Sequence, residues 1–145
     1  MPRKLRGTTK EEIRVLALEP TGSNELLGVV YRGKYWLDGV FRIKLDRLSA
    51  TSLSGVLRRI RYYPEIRLLI VDHNLRIRDL QTLERELNLP VIVIGSGGRI
   101  IEAYGIESEE AFRIVKKLSV QGVPEALRVA RLLALSLRSI GTRIM

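Results

Sequence analysis

The strongest constraint on the fold is a run of four apolar residues, 68–71, that ends in Asp72 and in His73, the only histidine of the chain. Continuous apolar runs of this length are typical of strands buried on both faces, as in the middle of a parallel sheet. A second such run, 91–94, follows after one segment long enough for a helix. Parallel neighbours joined in this way require a right-handed crossover. The two runs therefore predict adjacent parallel strands in an α/β sheet.

The rest of the sequence predicts the other elements of that sheet. An apolar strand spans 13–18, and a hairpin follows with arms at 26–32 and 36–45, the second of which alternates apolar and charged residues. Helical spacing predicts helices over 51–62, 78–88, 108–118 and 124–138, with Ser108 as the cap of the third and Pro124 as the first residue of the fourth. Residues 99–104 predict a short edge strand. This order is that of a ribonuclease-H-like mixed sheet, an antiparallel hairpin plus parallel βαβ units flanked by helices.

Composition indicates one domain over 1–145, in which residues 1–10 form a flexible basic arm. The chain has no cysteine, which excludes disulfides and thiolate metal sites. It lacks any apolar run near the roughly 18 residues that a membrane span needs, and its first residues lack a signal-peptide core. We therefore expect a soluble cytoplasmic protein with no membrane association. Arginine outnumbers lysine by 19 to 6, which suggests a thermophilic source.

The net charge of +9 is concentrated in three segments. Residues 1–14 hold five basic and two acidic groups, residues 51–63 hold three basic and no acidic groups, and residues 124–145 hold four basic groups and one acidic group. Such clusters indicate a polyanion partner, RNA or DNA, although a merely solvated arginine-rich surface would have the same composition. The candidate nucleic-acid contacts are Arg58, Arg59, Arg61, His73, Arg128 and Arg131. Tyr62 and Tyr63 would either stack on bases or complete the preceding helix against the core.

Two acidic residues end predicted strands, Glu19 after the first and Asp72 after the central one. Ligands of open α/β sheets bind beyond the carboxyl ends of the strands, and Mg²⁺ is usually held by one or two carboxylates with water or phosphate. Glu19 and Asp72 are therefore the candidate metal ligands. In the alternative, Asp72 only caps the turn after its strand and Glu19 is an exposed loop residue. The glycine-rich segment 95–98 would form either a phosphate cradle or a plain turn, and the lack of a following Lys-Ser/Thr favours the turn.

Several segments together resemble a known family. They are RVLALE at 14–19, GVVYRG at 28–33, DGV at 38–40, AT at 50–51, RLLIVD at 67–72, LPVIVI at 89–94 and GVPEALRVA at 122–130. In this order they resemble a largely archaeal family, domain of unknown function 99, which is similar to endonuclease V. The resemblance covers nearly the whole chain, and its most specific part is 124–130. It implies a ribonuclease-H-like fold in which strand-end carboxylates hold magnesium for phosphodiester hydrolysis near deaminated bases.

The resemblance implies Glu19, Asp38 and Asp72 as the catalytic residues of an active enzyme. Glu19 stands at the first of two adjacent aspartates of the family, Asp72 matches the acid that ends the central strand, and Asp38 occupies a position that is often acidic. Pro20 replaces the second aspartate.

Other positions depart from the family pattern. Leu48 and Ser49 stand where acidic residues are usual, and Arg131 stands where histidine is usual. The stretch after Asp72 is shortened to 74–78. These losses imply a degenerate nuclease site that binds magnesium weakly or binds no cofactor at all.

Three functions follow as hypotheses. The first is a nucleic-acid-binding ribonuclease-H-like domain with a degenerate nuclease site. The second is an active magnesium-dependent endonuclease similar to endonuclease V. The third is a structural or assembly subunit whose apolar last helix docks a partner, which in a homodimer is a second copy of this chain.

Overall fold

A computed structural model describes the backbone of residues 12–22 and 24–144 and the side chains of this part up to residue 138. The predicted basic arm at 1–10 lies outside the described residues. The strands are β1 (Arg14–Gly22), β2 (Glu25–Arg32), β3 (Trp36–Lys44), β4 (Ile66–Asp72), β5 (Val91–Ile94) and β6 (Ile100–Tyr104). The helices are α1 (Ala50–Leu57), α2 (Leu80–Leu87), α3 (Ser108–Leu118) and α4 (Glu125–Ile144), with one 3₁₀ turn at Tyr63–Glu65.

The six strands form one mixed sheet in the order β3-β2-β1-β4-β5-β6. Strand β4 pairs in parallel with both β1 and β5, whereas the β1–β2, β2–β3 and β5–β6 pairs are antiparallel. The predicted parallel neighbours β4 and β5 and the predicted edge strand β6 are therefore confirmed. A six-stranded mixed sheet flanked by four helices is consistent with a ribonuclease-H-like arrangement.

Both faces of the sheet are covered, which explains the continuous apolar runs. Leu69 and Val71 face a core shared with α1 and α2, whereas Leu68 and Ile70 face a second core shared with α3 and α4. All four side chains are fully buried. Truncating such a side chain to alanine typically costs about 2–5 kcal/mol, so the central strand is fixed firmly and with it the position of Asp72.

Two predicted helix boundaries are wrong for local reasons. Helix α1 ends at Leu57, not at residue 62, because the backbone tightens into shorter turns: Arg59 N–H donates to Val56 O, and Ile60 N–H donates to Leu57 O. The 3₁₀ turn then begins at Tyr63, with Pro64 as its second residue. Helix α4 continues to Ile144, beyond its predicted end at residue 138.

Two predicted helix starts are also corrected. Glu107, not Ser108, is the N-cap residue of α3, and its side chain forms no capping hydrogen bond. Pro124 precedes α4 and does not form its first residue; its carbonyl oxygen accepts hydrogen bonds from the N–H groups of Leu127 and Arg128, both at 3.0 Å. Among helices within residues 12–22 and 24–144, none combines the length and apolarity that crossing a membrane requires.

Candidate functional site

Glu19 and Asp72 lie side by side at the carboxyl-end edge of the parallel strands. Leu18 pairs with Val71 across the β1–β4 ladder. The next residues of the two strands, Glu19 and Asp72, therefore lie beside each other. Both side chains are buried, with residue exposures of 4% for Glu19 and 1% for Asp72. Glu19 is therefore a buried strand residue, and the alternative that it is an exposed loop residue is wrong. The sheet brings together the two carboxyl groups that the sequence predicts as a pair.

Asp72 is fully engaged by groups of the protein. Arg131 Nε of α4 donates to Asp72 Oδ2 at 2.6 Å, while the backbone N–H of Asn74 donates to Oδ1 at 2.7 Å. His73 Nδ1 lies 3.2 Å from the same Oδ1. Burial alone would raise the pKa of Asp72, but hydrogen bonds with Glu19, Asn74 and Arg131 outweigh it and hold the pKa below its ordinary value. Asp72 is thus an ionised residue that also caps the turn after its strand.

Arg131 is held in place by more than its ion pair. Its Nη2 donates to the carbonyl oxygen of Gly95 at 2.9 Å, with Ile94 O at 3.4 Å. The segment 95–98 is a turn, since Gly95 N–H donates to Arg99 O and Gly98 N–H donates to Gly95 O. The segment therefore forms the turn that the sequence favoured. The carbonyl oxygen of Gly95 in this turn accepts a hydrogen bond from Arg131.

The pKa of Glu19 is shifted in the opposite direction to that of Asp72. Its Oε2 lies 3.4 Å from Arg138 Nη2, and that nitrogen also donates to Pro20 O at 2.7 Å. Its Oε1 is buried and accepts no hydrogen bond from the N–H and O–H groups of the described residues, so it can carry the proton that Glu19 donates to Asp72. Burial, a hydrogen bond with Asp72 and the negative charge of Asp72 raise the pKa of Glu19 to about 8. At neutral pH the pair therefore holds one proton and one negative charge, which faces Arg131.

Asp38, the third predicted acid, does not join this pair. Its carboxylate binds Arg14 Nε at 2.9 Å and Arg32 Nη2 at 3.3 Å. Arg14 begins β1, five residues before Glu19, a separation of about 16 Å along a strand. Within the described part of the chain no three Asp, Glu, His or Cys side chains are grouped so that they could hold a metal ion. The predicted catalytic trio is thus divided between two edges of the sheet.

The predicted arginines of segment 51–63 lie beyond the end of α1. Arg58, Arg59 and Arg61 are exposed, and Arg61 borders a cleft of about 280 Å³ together with Arg14 and Asp38. This cluster therefore lies toward the edge opposite to the carboxyl pair. Both neighbouring tyrosines pack inward, since Tyr62 stacks on Phe41 at 6.2 Å and Tyr63 donates to Leu87 O. The structure thus supports the alternative that they pack against the core, but it places them after the helix, which ends at Leu57.

The described arginines of the predicted basic cluster 124–145 each contact a carboxyl group of the protein. Arg128 pairs with Glu125 at 2.6 Å, Arg131 with Asp72, and Arg138 with Glu19. The Arg128 guanidinium lowers the pKa of Glu125 by hydrogen bonding to it. Arg128 and Arg131 neutralise carboxylates of the protein itself, whereas Arg138 donates a hydrogen bond to the carboxyl group of Glu19. Arg128 and Arg131 are thus committed to internal ion pairs, whereas His73 remains at the surface beside Asp72.

The structure also shows a basic groove that the sequence did not predict, at the carboxyl-end edge of the sheet that holds Glu19 and Asp72. It has a volume of about 680 Å³, and Arg47, Arg76 and Arg78 line it. A pattern in the sequence could have indicated two of them: Arg76 and Arg78 are exposed and alternate with the buried Leu75 and Ile77. Such alternation places both guanidinium groups on one side of an extended segment.

Comparison with known proteins finds relatives along most of the chain. No protein-family model matches it. It is 30% identical to a "UPF0215 protein" of Methanosarcina acetivorans, over 86% of this chain and 90% of that protein. A UPF0215 protein of Methanosarcina barkeri is 29% identical over the same shares, and one of Methanopyrus kandleri is 33% identical over 59% of this chain and 50% of that protein. The first alignment spans 177 positions, but 86% of 145 residues is about 125, so about 50 positions have no counterpart in this chain.

Proposed function

This chain belongs to the UPF0215 family, a name that states no activity, and we propose from its own site that it is a nucleic-acid-binding ribonuclease-H-like domain with a closed nuclease centre. The observation that carries the proposal is the ion pair between Arg131 and Asp72 at the carboxyl-end edge of the sheet. The resemblance to domain of unknown function 99 and endonuclease V supports it, because there the same edge holds magnesium.

The chemistry of the pair opposes metal binding. Mg²⁺ requires oxygen ligands with free lone pairs in near-octahedral geometry. Asp72 already accepts hydrogen bonds at both oxygens, and Glu19 is protonated at neutral pH. A guanidinium about 5 Å from a divalent ion costs on the order of 6 kcal/mol at an effective dielectric of 20. Arg131 therefore supplies the positive charge at this edge that a metal would supply in a nuclease.

The charge of the chain supports binding to a polyanion. Its net charge is +9, and Arg47, Arg76 and Arg78 are exposed at the edge that holds the carboxyl pair, whereas the predicted contacts Arg58, Arg59 and Arg61 lie toward the opposite edge. Exposed arginines bind phosphate through paired N–H donors that match its oxygens. Affinity that depends mainly on phosphate contacts falls steeply with salt.

One assay tests binding and cleavage together. A short end-labelled single strand that contains inosine is mixed with the protein and Mg²⁺ or Mn²⁺; anisotropy reports binding, and a denaturing gel reports integrity. We expect binding with a log–log salt slope of about −3, for about four neutralised phosphates, and an intact strand. Absence of binding at low salt contradicts the proposal. Robust cleavage that Asp72→Asn abolishes would instead establish the active endonuclease.

One observation favours the assembly hypothesis. On α4, Leu132 and Leu135 are 51% and 62% exposed, three residues apart on one helix face. Sedimentation of the protein without nucleic acid distinguishes this alternative. Self-association that Leu132→Glu with Leu135→Glu abolishes, in a protein that binds no nucleic acid, would replace the first proposal by the assembly function.

A further inference from the structure

Two loops frame the basic groove at the carboxyl-end edge of the sheet. One wall is the loop between β3 and α1, which carries Arg47. The other wall is the loop between β4 and α2, which carries Arg76 and Arg78. Because β1, β3 and β4 run in the same direction, both loops lie at the edge that holds Glu19 and Asp72. The groove therefore lies next to the carboxyl pair, since Arg76 follows Asp72 by only four residues.

Among the described residues that line the groove, positive charge exceeds negative charge. Within residues 12–22 and 24–138, none of the three guanidinium groups has an ion-pair partner. The acid in the lining, Asp79, is committed to capping α2: it accepts the Thr82 N–H at 3.0 Å and the Thr82 hydroxyl at 2.6 Å. The described lining thus carries three positive charges and one negative charge, and the carboxylate of Asp79 forms an ion pair with none of the three guanidinium groups.

The walls of the groove are held in place before any ligand binds. Leu75 and Ile77 are 5% and 8% exposed, so they anchor the segment from which Arg76 and Arg78 project. On the other wall, Ser49 and Ser52 form a capping box, with each backbone N–H donating to the other side chain at 3.1 Å. Ordered walls lower the entropy cost of binding.

Resting on the proposed function, we propose that this groove binds the sugar–phosphate backbone of a single-stranded nucleic acid. Guanidinium groups pair with phosphate oxygens through two parallel hydrogen bonds, which suits three arginines placed along one groove. Among the described residues that line the groove none is aromatic, so bases have no ring to stack on. Phosphate contacts carry no sequence information, and binding is therefore independent of base sequence.

The test compares two triple variants that remove the same charge. The groove variant carries Arg47→Ala, Arg76→Ala and Arg78→Ala. The control variant carries Arg58→Ala, Arg59→Ala and Arg61→Ala, which lie toward the opposite edge. For a single strand, each phosphate contact makes the slope of log affinity against log salt more negative by about 0.7, so three contacts contribute about 2. Over the tenfold range from 1 M to 0.1 M salt, a slope of about 2 corresponds to an affinity gain of about 100-fold.

We expect the groove variant to bind a mixed-sequence labelled strand about 100-fold more weakly at 0.1 M salt, with its slope reduced by about 2. The control variant should stay within about threefold of the wild type, because distant charges are screened beyond about 10 Å at this salt. Circular dichroism of both variants verifies the fold. Chemical shifts of arginine Nε–H groups in the wild type, with and without the strand, test the same contacts without a mutation.

Each outcome is decisive. Failure of the wild type to bind any strand overturns both the proposed function and this inference. Binding by the wild type that the groove variant retains overturns the inference alone. Loss of binding in the control variant, with the groove variant unchanged, would assign the contact to the opposite edge. Arginine Nε–H shifts that do not move when the strand binds would likewise overturn the groove assignment.

Discussion

Replacing Glu19 by glutamine should abolish a pH dependence that the carboxyl pair imposes on stability. Glu19 is buried beside an ionised Asp72, and its pKa is raised from 4.5 to about 8. In the unfolded chain the residue loses its proton near pH 4.5, whereas the folded protein keeps that proton up to about pH 8. The folded state thus binds more protons between these pH values, and the free energy of unfolding falls as the pH rises.

The magnitude follows from the shift. Each unit of pKa difference corresponds to about 1.4 kcal/mol, so the total loss between pH 4.5 and pH 8 is at most about 5 kcal/mol. Asp72 has the opposite sign: its pKa is lowered, and the stability that it contributes is lost only as the pH falls below its ordinary value of 3.8. Between pH 5 and pH 8 the contribution of Glu19 therefore acts without opposition from Asp72.

Urea unfolding at a series of pH values from 5 to 9 measures the effect. The free energy of unfolding of the wild type should decline up to about pH 8 and then level off, while Glu19→Gln stays flat, since an amide donates to Asp72 at every pH. Glu25→Gln is the matched control. Glu25 pairs with Arg42 and its pKa is lowered, so its contribution is lost only below about pH 4.5. A Glu19→Gln protein with the wild-type slope would refute the shared proton.

Two further substitutions test other parts of the site. Arg131→Gln leaves the buried charge of Asp72 unpaired and should cost about 3–5 kcal/mol in urea unfolding, most of which Asp72→Asn in the same chain should restore; a neutral effect of the single change would contradict the ion pair. Gly98→Ala should cost about 1–3 kcal/mol, because φ is +86° and the added Cβ would lie 2.0 Å from Gly122 O. Gly97→Ala has open space and should change stability by less than about 0.5 kcal/mol, and equal effects of the two changes would contradict the turn.

The strands were predictable because burial on both faces leaves a strong signal in the sequence. Residues 68–71 and 91–94 are apolar without interruption, and the structure buries each on two sides. The meeting of Glu19 with Asp72 followed from the same logic, since both end parallel strands. The burial of Glu19 was not predictable from its position before Pro20. It depends on β1 continuing to Gly22 and on α4 covering that end.

The distribution of charge misled the sequence prediction because acids next to arginines in sequence need not pair with them. Arg76 and Arg78 stand between Asp72 and Asp79, so that stretch counts as balanced. Yet Asp72 pairs with Arg131, and Asp79 caps a helix. Only the folded chain shows which carboxylates are already committed and which guanidinium groups are left with no ion pair among the described residues.

The two arginines of α4 that contact the carboxyl pair left a weaker signal in the sequence. Arg131 and Arg138 are seven residues apart, two helical turns, and therefore share one helix face. The sequence prediction places both in a basic cluster that faces solvent. These two arginines reach the two buried carboxyl groups only because α4 packs against β1. No local sequence pattern specifies that packing.

The proton on Glu19 and the ion pair of Arg131 also bear on how a polyanion approaches this edge. Two ionised carboxylates beside the basic groove would oppose the field of Arg47, Arg76 and Arg78. With one proton shared and the remaining negative charge paired to Arg131, the carboxyl pair and Arg131 together carry no net charge near pH 7. The arginines of the groove then act on phosphate without that opposition. In the proposed function, Arg131 thus has two effects: its ion pair occupies the carboxylate that a metal would need, and it leaves the edge favourable to a nucleic-acid backbone.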